Sequence, residues 1–346
     1  MLTRNLPELV SETMDYFTAK LVTKTIFIAC FILTCVASTG AYFISTVNLA
    51  FLASAMPYNS NNNISKSISN SFQGYNGLIM INFDDGYKSQ YTYAKPILDK
   101  YGFKATFFIV CNFIGSGNTH MNWQDVLALH REGYNIQSHT MNHKDLTKLS
   151  TQDLEFEIGQ SKQCLKDHGI NATVFGTPQG KGQDNATVIN TIAKYYDFAK
   201  SGFSSVTYLH CDGWRHHSSQ TNCRTYFDNG TLTYANRYSM REWSHRHIDS
   251  CCLYDNSQML QKFISEVNSQ NKYNNNKNGT VINVIPIITY HNIITSPDVK
   301  YSKEASATTI NLLDAEIKYL HDNGFKVITM SQIGYDEKNN YMYIKN

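Results

Sequence analysis

The sequence predicts an α/β fold with a parallel sheet or barrel, because segments typical of strands and helices alternate along most of the chain. The apolar run LIMINF ends at two aspartates, and a helical stretch near residues 91–101 leads to a second apolar run, KATFFIV. The helix NWQDVLALHREG then precedes the strand YNIQS. This repeated order makes successive strands parallel. Their carboxyl ends then meet at one edge, where α/β proteins place functional loops.

The later segments continue the alternation. Residues 153–169 predict a long amphipathic helix with Ser150 or Thr151 as its N-cap and Gly169 at its end. The run TVFGTPQG and a helix near residues 185–196 follow. The last unit comprises a helix at residues 258–268, the strand INVIPIITYH, a helix near residues 309–321 and the strand GFKVITM. We expect residues 77–346 to form one domain, because α/β barrels run to about 250 residues as a single unit.

Composition excludes one class of function and leaves another open. The 346 residues carry a formal net charge of +2, so the chain lacks the basic footprint that nucleic-acid binding requires. The 23 tyrosines and 18 phenylalanines are numerous. They suit ordinary packing and equally a groove in which aromatic rings stack on sugars, and composition alone does not choose between the two.

The amino-terminal part of the chain predicts a membrane anchor. Residues 25–65 contain no charged residue, and the mostly apolar run TIFIACFILTCVASTGAYFIST lies within them. At about 1.5 Å per residue this run spans roughly 33 Å, which matches a hydrocarbon core about 30 Å thick. Lys20 and Lys24 precede it, and the next positive charge is Lys66. The positive-inside rule therefore predicts a cytoplasmic segment at 1–24, a transmembrane signal-anchor at 25–47 and an extracellular remainder.

A cleaved signal peptide is the alternative, because Ala53-Ser54-Ala55 resembles a cleavage site. We prefer the uncleaved anchor, since the apolar run is longer than a signal-peptide core and a long polar segment precedes it. Residues 48–76 are rich in Asn and Ser, which cannot bury enough apolar surface to fold, and we expect them to form a tether. The domain at 77–346 is thus expected outside the cell, anchored to the membrane or secreted after cleavage.

Six cysteines follow the predicted anchor, an even number that is compatible with disulfides in an oxidising compartment. Their pairing cannot be read from the sequence. They are Cys111, Cys164, Cys211, Cys223, Cys251 and Cys252.

Two motifs at predicted strand ends carry the chemistry. Asp84 and Asp85 follow LIMINF, and His139 and His143 follow YNIQS. An Asp-Asp-Gly sequence alone is a weak signal, because acidic turns are common. Imidazoles at i and i+4, however, can face one metal ion from a single turn. Two histidines and one carboxylate make three protein ligands and leave a position for water, which predicts a metal-dependent hydrolase.

Four short segments lie in this order along roughly residues 78–330: FDDGY, SHTMNH, TPQG and ITYHNI. They resemble the motifs of the polysaccharide deacetylase family, carbohydrate esterase family four. The resemblance implies a distorted (β/α) barrel, usually of seven strands, that holds a divalent metal, most often zinc. It further implies that Asp84 is the general base, that His291 is the general acid, and that the metal ligands are Asp85, His139 and His143.

These implied roles suit the hydrolysis of an amide. A bound metal lowers the pKa of water and polarises the acetyl carbonyl. A carboxylate beside the metal can take the proton of that water, so two adjacent aspartates divide the work between base and ligand. The departing amine needs a proton, and a histidine, with an ordinary pKa of about 6.5, can supply it.

One position departs from the family pattern. The third motif commonly reads Arg-x-Pro-x-Gly, and its arginine holds the base carboxylate, whereas this chain has Gly176 at that point. We hypothesise that Arg241, in a strand-like stretch between the third and last motifs, reaches Asp84 instead. The alternative is that Arg241 pairs with a surface acid. Weaker candidates for substrate contact or orientation are Pro178, Trp214 and Tyr290.

A second histidine-rich region contains the sequences WRHH and SHRH. We expect a solvated loop there, and the alternative is a substrate contact or an accessory metal site. Its histidines are His216, His217, His245 and His247.

The function expected from these observations is the removal of N-acetyl groups from an N-acetylhexosamine-containing glycan outside the cell. Two alternatives stay open. A glycan-binding surface protein that has lost catalysis is favoured by the missing arginine, and a hydrolase of another small amide would use the same scaffold. The expected partners are an acetylated polysaccharide and, through the amino-terminal helix, a membrane.

Overall fold

The computed structural model describes residues 75–212, 220–274 and 282–345, which build a parallel β-barrel with helices packed against its strands. The predicted cytoplasmic segment and transmembrane anchor, and nearly all of the tether, lie outside these residues. Within the described ranges, no helix combines the length and the apolar character needed to cross a membrane.

The described residues contain fourteen strands, which we number in chain order. Seven of them form the barrel: β1 (Gly77–Phe83), β2 (Thr106–Ile109), β3 (Asn135–Ser138), β4 (Val174–Gly176), β5 (Phe198–Phe203), β7 (Met240–Ser244) and β9 (Ile287–Tyr290). The others are β6 (Thr207–Tyr208), β8 (Val284–Ile285), β10 (Ile293–Ile294), β11 (Thr308–Thr309), β12 (Phe325–Ile328), β13 (Ile333–Asp336) and β14 (Tyr341–Ile344).

The seven barrel strands close on themselves, and every neighbouring pair is parallel. The order is β1-β2-β3-β4-β5-β7-β9, and β9 pairs back onto β1, with Met80 opposite Ile287 and Phe83 opposite Tyr290. Closure leaves these strands without a free edge between them. The predicted barrel of about seven parallel strands is therefore confirmed.

The predicted strand GFKVITM is present as β12, but it takes no place of its own in the ring. It pairs in parallel with the first half of β1, from Gly77 opposite Phe325 to Met80 opposite Ile328. Because Met80 also pairs with β9, β12 must lie on the other side of β1, the side that β2 takes at the end of the strand.

Seven α-helices lie in the described residues: α1 (Lys95–Lys100), α2 (Trp123–Arg131), α3 (Thr151–Glu155), α4 (Ser161–Asp167), α5 (Ala186–Ala193), α6 (Asn256–Asn268) and α7 (Ile310–Asp322). The helix predicted at residues 153–169 consists of α3 and α4 joined by a π-helical segment, Phe156–Gln160. The Ser150 hydroxyl accepts the Asp153 N–H and so caps α3.

The alternation of side chains along the strands decides which residues enter the barrel. Leu78 and Met80 of β1 pack with buried residues of other barrel strands, such as Phe108 and Met240. The alternate residues Ile79, Ile81 and Phe83 belong to the larger cluster, which includes residues of the helices. Asp84 follows β1 in the same alternation as Leu78 and Met80, so its side chain is directed into the carboxyl end of the barrel.

The six cysteines pair as Cys111–Cys164, Cys211–Cys223 and Cys251–Cys252. The first disulfide joins the segment after β2 to α4, and the last joins two adjacent residues. An even number of cysteines allowed this outcome, but the connectivity could only come from the folded structure.

Candidate active site

Two aspartates, Asp84 and Asp85, follow the carboxyl end of β1. The Asp84 N–H donates to the Tyr290 carbonyl at 2.9 Å, which continues the contact between β1 and β9. The next two residues, Asp85 and Gly86, have φ values of 74° and 75°. A β-carbon at Gly86 would lie 3.0 Å from Ile114 Cδ1, so glycine suits this position for its backbone and for its lack of a side chain. The turn directs the Asp84 and Asp85 carboxylates to adjacent positions.

His139 follows β3 and is only 2% exposed. Its Nδ1 lies 2.8 Å from the Gly176 carbonyl, which can only accept, so Nδ1 carries the proton and Nε2 keeps its lone pair. This Nε2 lies 3.5 Å from Asp85 Oδ1. Burial lowers the pKa of His139 to about 3, so the ring is neutral and able to bind a cation.

His143 reaches the same point from the loop after β3. Its backbone is left-handed, with φ of 58°, and its N–H donates to the Thr140 hydroxyl at 2.8 Å. Its Nε2 lies 3.2 Å from Asp85 Oδ1, and burial lowers its pKa. A left-handed conformation is unfavourable for a non-glycine residue, and it occurs here at Asp85, Thr140 and His143 together. Contacts elsewhere in the fold must therefore stabilise these three residues in an unfavourable backbone conformation.

These three side chains fit a divalent cation. One carboxylate oxygen of Asp85 and one nitrogen each of His139 and His143 lie within 4.8 Å of one another. Asp85 Oδ1 is buried and has no hydrogen-bond partner among the described residues. Burial raises the pKa of Asp85 to about 6, which shows that burial outweighs the favourable charges near its carboxylate. Two imidazoles and a carboxylate are the donor set of many zinc sites.

The cation beside Asp84 is Lys200 on β5. Its Nζ lies 2.8 Å from Asp84 Oδ2 and 2.8 Å from Glu242 Oε2. Glu242 also accepts a hydrogen bond from the Thr289 hydroxyl. Burial opposes ionisation of Asp84, but the Lys200 ammonium and the neighbouring His139 and His291 together outweigh it and keep the pKa of Asp84 below its usual value.

The hypothesis that Arg241 reaches Asp84 is wrong. Asp84 Oδ2 is bonded to Lys200, and Asp84 Oδ1 has no partner among the described residues. The Arg241 guanidinium instead donates to the Tyr234 carbonyl and lies over the Tyr234 ring, 4.6 Å from its centre. Arg241 and Glu242 are neighbours on one strand, so their side chains leave it on opposite faces, and Glu242 is the one that faces Lys200.

Sequence reasoning missed both Lys200 and Glu242. The available signal was a lysine within FAKSGF, a strand whose other residues are apolar or small. A lysine is almost never fully buried without a partner, so its position in a buried strand indicates an unseen carboxylate.

His291 comes directly after β9 and is half-buried at the same end of the barrel. Its Nδ1 is buried without a partner among the described residues. It lies close enough to act electrostatically on both aspartates, favouring their charged forms. The structure thus brings His291 together with the two aspartates, although more than 200 residues separate them in the chain.

The weaker candidates have different outcomes. Tyr290 is fully buried and its hydroxyl donates to Glu316 at 2.8 Å, so its side chain packs in the core and only its carbonyl serves the site. Pro178 is buried and opens a short 3₁₀ turn, Pro178–Gly180, after β4. Trp214 lies outside the described residues.

The second histidine-rich region differs from the expected solvated loop. His245 and His247 are both fully buried. His245 Nε2 lies 2.8 Å from Glu316 Oε1, and its Nδ1 lies 3.0 Å from the Thr308 hydroxyl. These contacts satisfy both ring nitrogens of His245 within the core, which indicates a packing role. His216 and His217 fall outside the described residues.

Known proteins are similar in sequence to part of this chain. Residues 74–198 match the family model described as polysaccharide deacetylase, a segment that ends before His291. The chain is 40% identical over 127 residues to the chitin deacetylase of Arthroderma benhamiae, which covers 35% of this chain and 33% of that protein. It is 38% identical over 104 residues to YxkH of Bacillus subtilis, which bears a provisional polysaccharide deacetylase name. This match covers 30% of this chain and 37% of that protein. The chain spans about a third of the length of these curated relatives.

A solved structure also aligns with the chain. The family 4 carbohydrate esterase from Streptomyces lividans, in complex with acetate, is 14% identical, with a TM-score of 0.44 over 79% of this chain and 100% of that one. The family model covers both aspartates of the first motif and both histidines of the second. Over residues 74–198 the chain is therefore similar in sequence to polysaccharide deacetylases.

Proposed function

We propose that the protein is a metal-dependent hydrolase that removes N-acetyl groups from an N-acetylhexosamine-containing glycan outside the cell. One observation supports this most directly. Asp85, His139 and His143 converge on one point at the carboxyl end of the barrel, and Asp84 lies beside them with one oxygen that has no hydrogen-bond partner among the described residues. When bound there, a divalent cation such as zinc supplies an acidified water and a Lewis-acid contact for a carbonyl oxygen.

The remaining residues divide the proton transfers. Asp84 Oδ1 has no partner among the described residues and is positioned to take a proton from the attacking water. His291 gives a proton to the departing amine nitrogen as the carbon–nitrogen bond breaks. The products are acetate and a free amino sugar. Tyr290 supports this arrangement, because its carbonyl holds the Asp84 backbone in place.

The surface beside the site supports a sugar substrate. The rings of Tyr87 and His120 stack 5.1 Å apart, and Phe113 lies 4.9 Å from His120 and 6.3 Å from His143. These rings form an aromatic wall that leads away from a metal-binding histidine. A cavity of about 290 Å³ adjoins Tyr87, with hydroxyl and amide groups such as those of Asn292 in its lining. Aromatic faces and hydrogen-bonding edges together suit a pyranose ring.

The decisive experiment measures acetate release from a panel of acetylated oligosaccharides, together with elemental analysis of the purified protein. We expect one equivalent of metal and metal-dependent acetate release from polymers of N-acetylhexosamine. Binding of the oligosaccharides without acetate release would favour a glycan-binding protein instead. Turnover of small amides but not of oligosaccharides would favour a hydrolase of another small amide on the same scaffold.

We expect metal affinity to be constant above about pH 6 and to fall below it. Asp85, with a pKa of about 6, carries a proton at lower pH, and that proton must leave when the metal binds. The affinity should therefore fall about tenfold per pH unit below 6. His139, with a pKa of about 3, stays neutral throughout this range and adds no competition. Calorimetric titration of the metal-free protein between pH 5 and pH 8 measures this profile.

The Asp85→Asn variant is the control for this pH profile. It should bind metal more weakly, without the fall in affinity below pH 6. An affinity that kept falling tenfold per unit from pH 8 to pH 6 would show that another ligand takes up the competing proton.

We also propose that residues 25–47 anchor the protein in a membrane with its catalytic domain outside, on the basis of the uncharged apolar run. Protease added to intact cells should then release the domain by cutting within residues 48–76 and leave a short membrane-bound fragment. Mass spectrometry identifies the cut. A mature chain that begins at Met56 would show instead that the apolar run is a cleaved signal.

A further inference from the structure

Lys200 is a buried cation held between two carboxylates. It is 1% exposed, and its ammonium lies 2.8 Å from Asp84 Oδ2 and 3.0 and 2.8 Å from the two Glu242 oxygens. It also lies over the Phe108 ring, 4.7 Å from its centre. An ammonium group has three donors, and these contacts give each of them an acceptor.

Stability alone explains this arrangement poorly. Moving one cation and two carboxylates out of water is costly, and apolar replacements of buried ion pairs are often neutral or stabilising. The contacts are also uneven. Lys200 binds Asp84 only through Oδ2, and Asp84 Oδ1 has no partner among the described residues. The lysine therefore fixes one oxygen of Asp84 and makes no bond to the other, the oxygen that the proposed function assigns to the proton transfer.

The strand next to Lys200 has a glycine opposite it, which leaves space for the lysine side chain. Lys200 on β5 pairs directly with Gly176 on β4. A β-carbon at Gly176 would lie 3.2 Å from Lys200 Cε, 3.0 Å from Phe108 Cδ1 and 2.8 Å from His139 Nδ1. Any side chain at position 176 would thus press on Lys200 and on a metal-binding ring. Glycine at 176 and lysine at 200 are compatible with each other, and a large residue at 176 would conflict with this lysine.

We propose that Lys200 is the residue that positions Asp84 for catalysis, with Glu242 anchoring its ammonium and Gly176 leaving room for it. Thr289 completes the chain of contacts by donating to Glu242. The cation that the third motif lacks is thus supplied by the neighbouring strand, one step around the barrel. This inference rests on the proposed function, since it assigns Lys200 a part in the same reaction.

The first test is the Lys200→Met variant, which keeps the aliphatic length and removes the charge. We expect kcat for acetate release to fall about 10- to 100-fold, as for other residues that orient a catalytic group, with KM within about twofold and metal content unchanged. Lys194→Met is the matched control, because Lys194 is exposed and pairs with Glu155 away from the site. It should leave kcat and KM unchanged.

A double-mutant cycle separates positioning from general damage. Lys200→Met should have almost no further effect on the residual rate of Asp84→Asn, because Lys200 acts through Asp84. An equal loss in both backgrounds would overturn the proposal. Because Lys200→Met leaves two carboxylates facing each other, it is paired with Lys200→Met/Glu242→Gln, which reduces that repulsion. A wild-type kcat in either folded, metal-containing variant would also overturn it.

A measurement without turnover tests the contact itself. In metal-free protein labelled with ¹⁵N-lysine, the Lys200 ammonium should give a slowly exchanging NMR signal, assigned by its loss in Lys200→Met. That signal should shift in Asp84→Asn and in Glu242→Gln. A signal unmoved by Asp84→Asn would show that the contact is absent. If the wild-type protein released no acetate while the shifts occurred, the proposed reaction would fail and the ion-pair contact would stand.

Discussion

Replacing Asp84 by Asn is expected to lower kcat for acetate release by about 10²- to 10⁴-fold while the metal stays bound. An amide has the size of a carboxylate but cannot accept the proton of the attacking water. The fold should tolerate the change, because Lys200 keeps both of its contacts with Glu242. The buried group then contains one cation and one anion instead of one cation and two anions. Steady-state kinetics, elemental analysis and thermal unfolding on the same preparation measure the three quantities.

The control for this prediction is Asp322→Asn, since Asp322 lies at the exposed end of α7 and pairs with Lys318. It should change none of the three quantities. Loss of metal from Asp84→Asn would contradict the assignment of Asp85 as the ligand and Asp84 as the base. Full activity with full metal content would show that the proton goes elsewhere.

The barrel and the convergence of its motifs could be predicted from sequence because both depend on local patterns. Each barrel strand is a short apolar run, and each is followed by a loop that begins at the same edge of a parallel sheet. Asp84 after β1, His139 after β3 and His291 after β9 therefore had to meet once the strands closed into a barrel. This convergence could therefore be predicted without knowing any contact between side chains.

The cation beside Asp84 could not be predicted in the same way. Lys200 lies 116 residues from Asp84, and its role depends on which face of β5 points into the barrel. A shift of one residue in the strand register exchanges the two faces. The incorrect prediction for Arg241 has the same cause. Arg241 and Glu242 are neighbours on opposite faces of β7, and the sequence alone does not show which face points towards Asp84. Which of these side chains face Asp84 follows only from the register of β4 with β5 and of β5 with β7.

Replacing His139 by Ala is expected to weaken metal binding by more than about 100-fold, beyond the 10- to 100-fold loss usual for residues that only support a ligand. In the proposed metal centre His139 supplies one of three ligand atoms, and its Nδ1–H bond to the Gly176 carbonyl fixes Nε2 as the nitrogen that faces Asp85. Titration of the metal-free protein with zinc measures the affinity. His130→Ala is the control, because His130 lies exposed on α2, outside the site. An unchanged affinity in His139→Ala would contradict the metal centre.

His143→Ala should lose affinity as well, but it should respond to added imidazole whereas His139→Ala should not. The His143 side chain is 28% exposed, so its removal opens a space that a free imidazole can enter from solvent to replace the missing ligand. The His139 side chain is 2% exposed and is enclosed by the barrel wall, with the Phe108 ring 6.3 Å from its own. Zinc titrations with and without millimolar imidazole compare the two variants. Equal recovery in both would show that the two histidines are equally accessible, contrary to the burial that distinguishes them here.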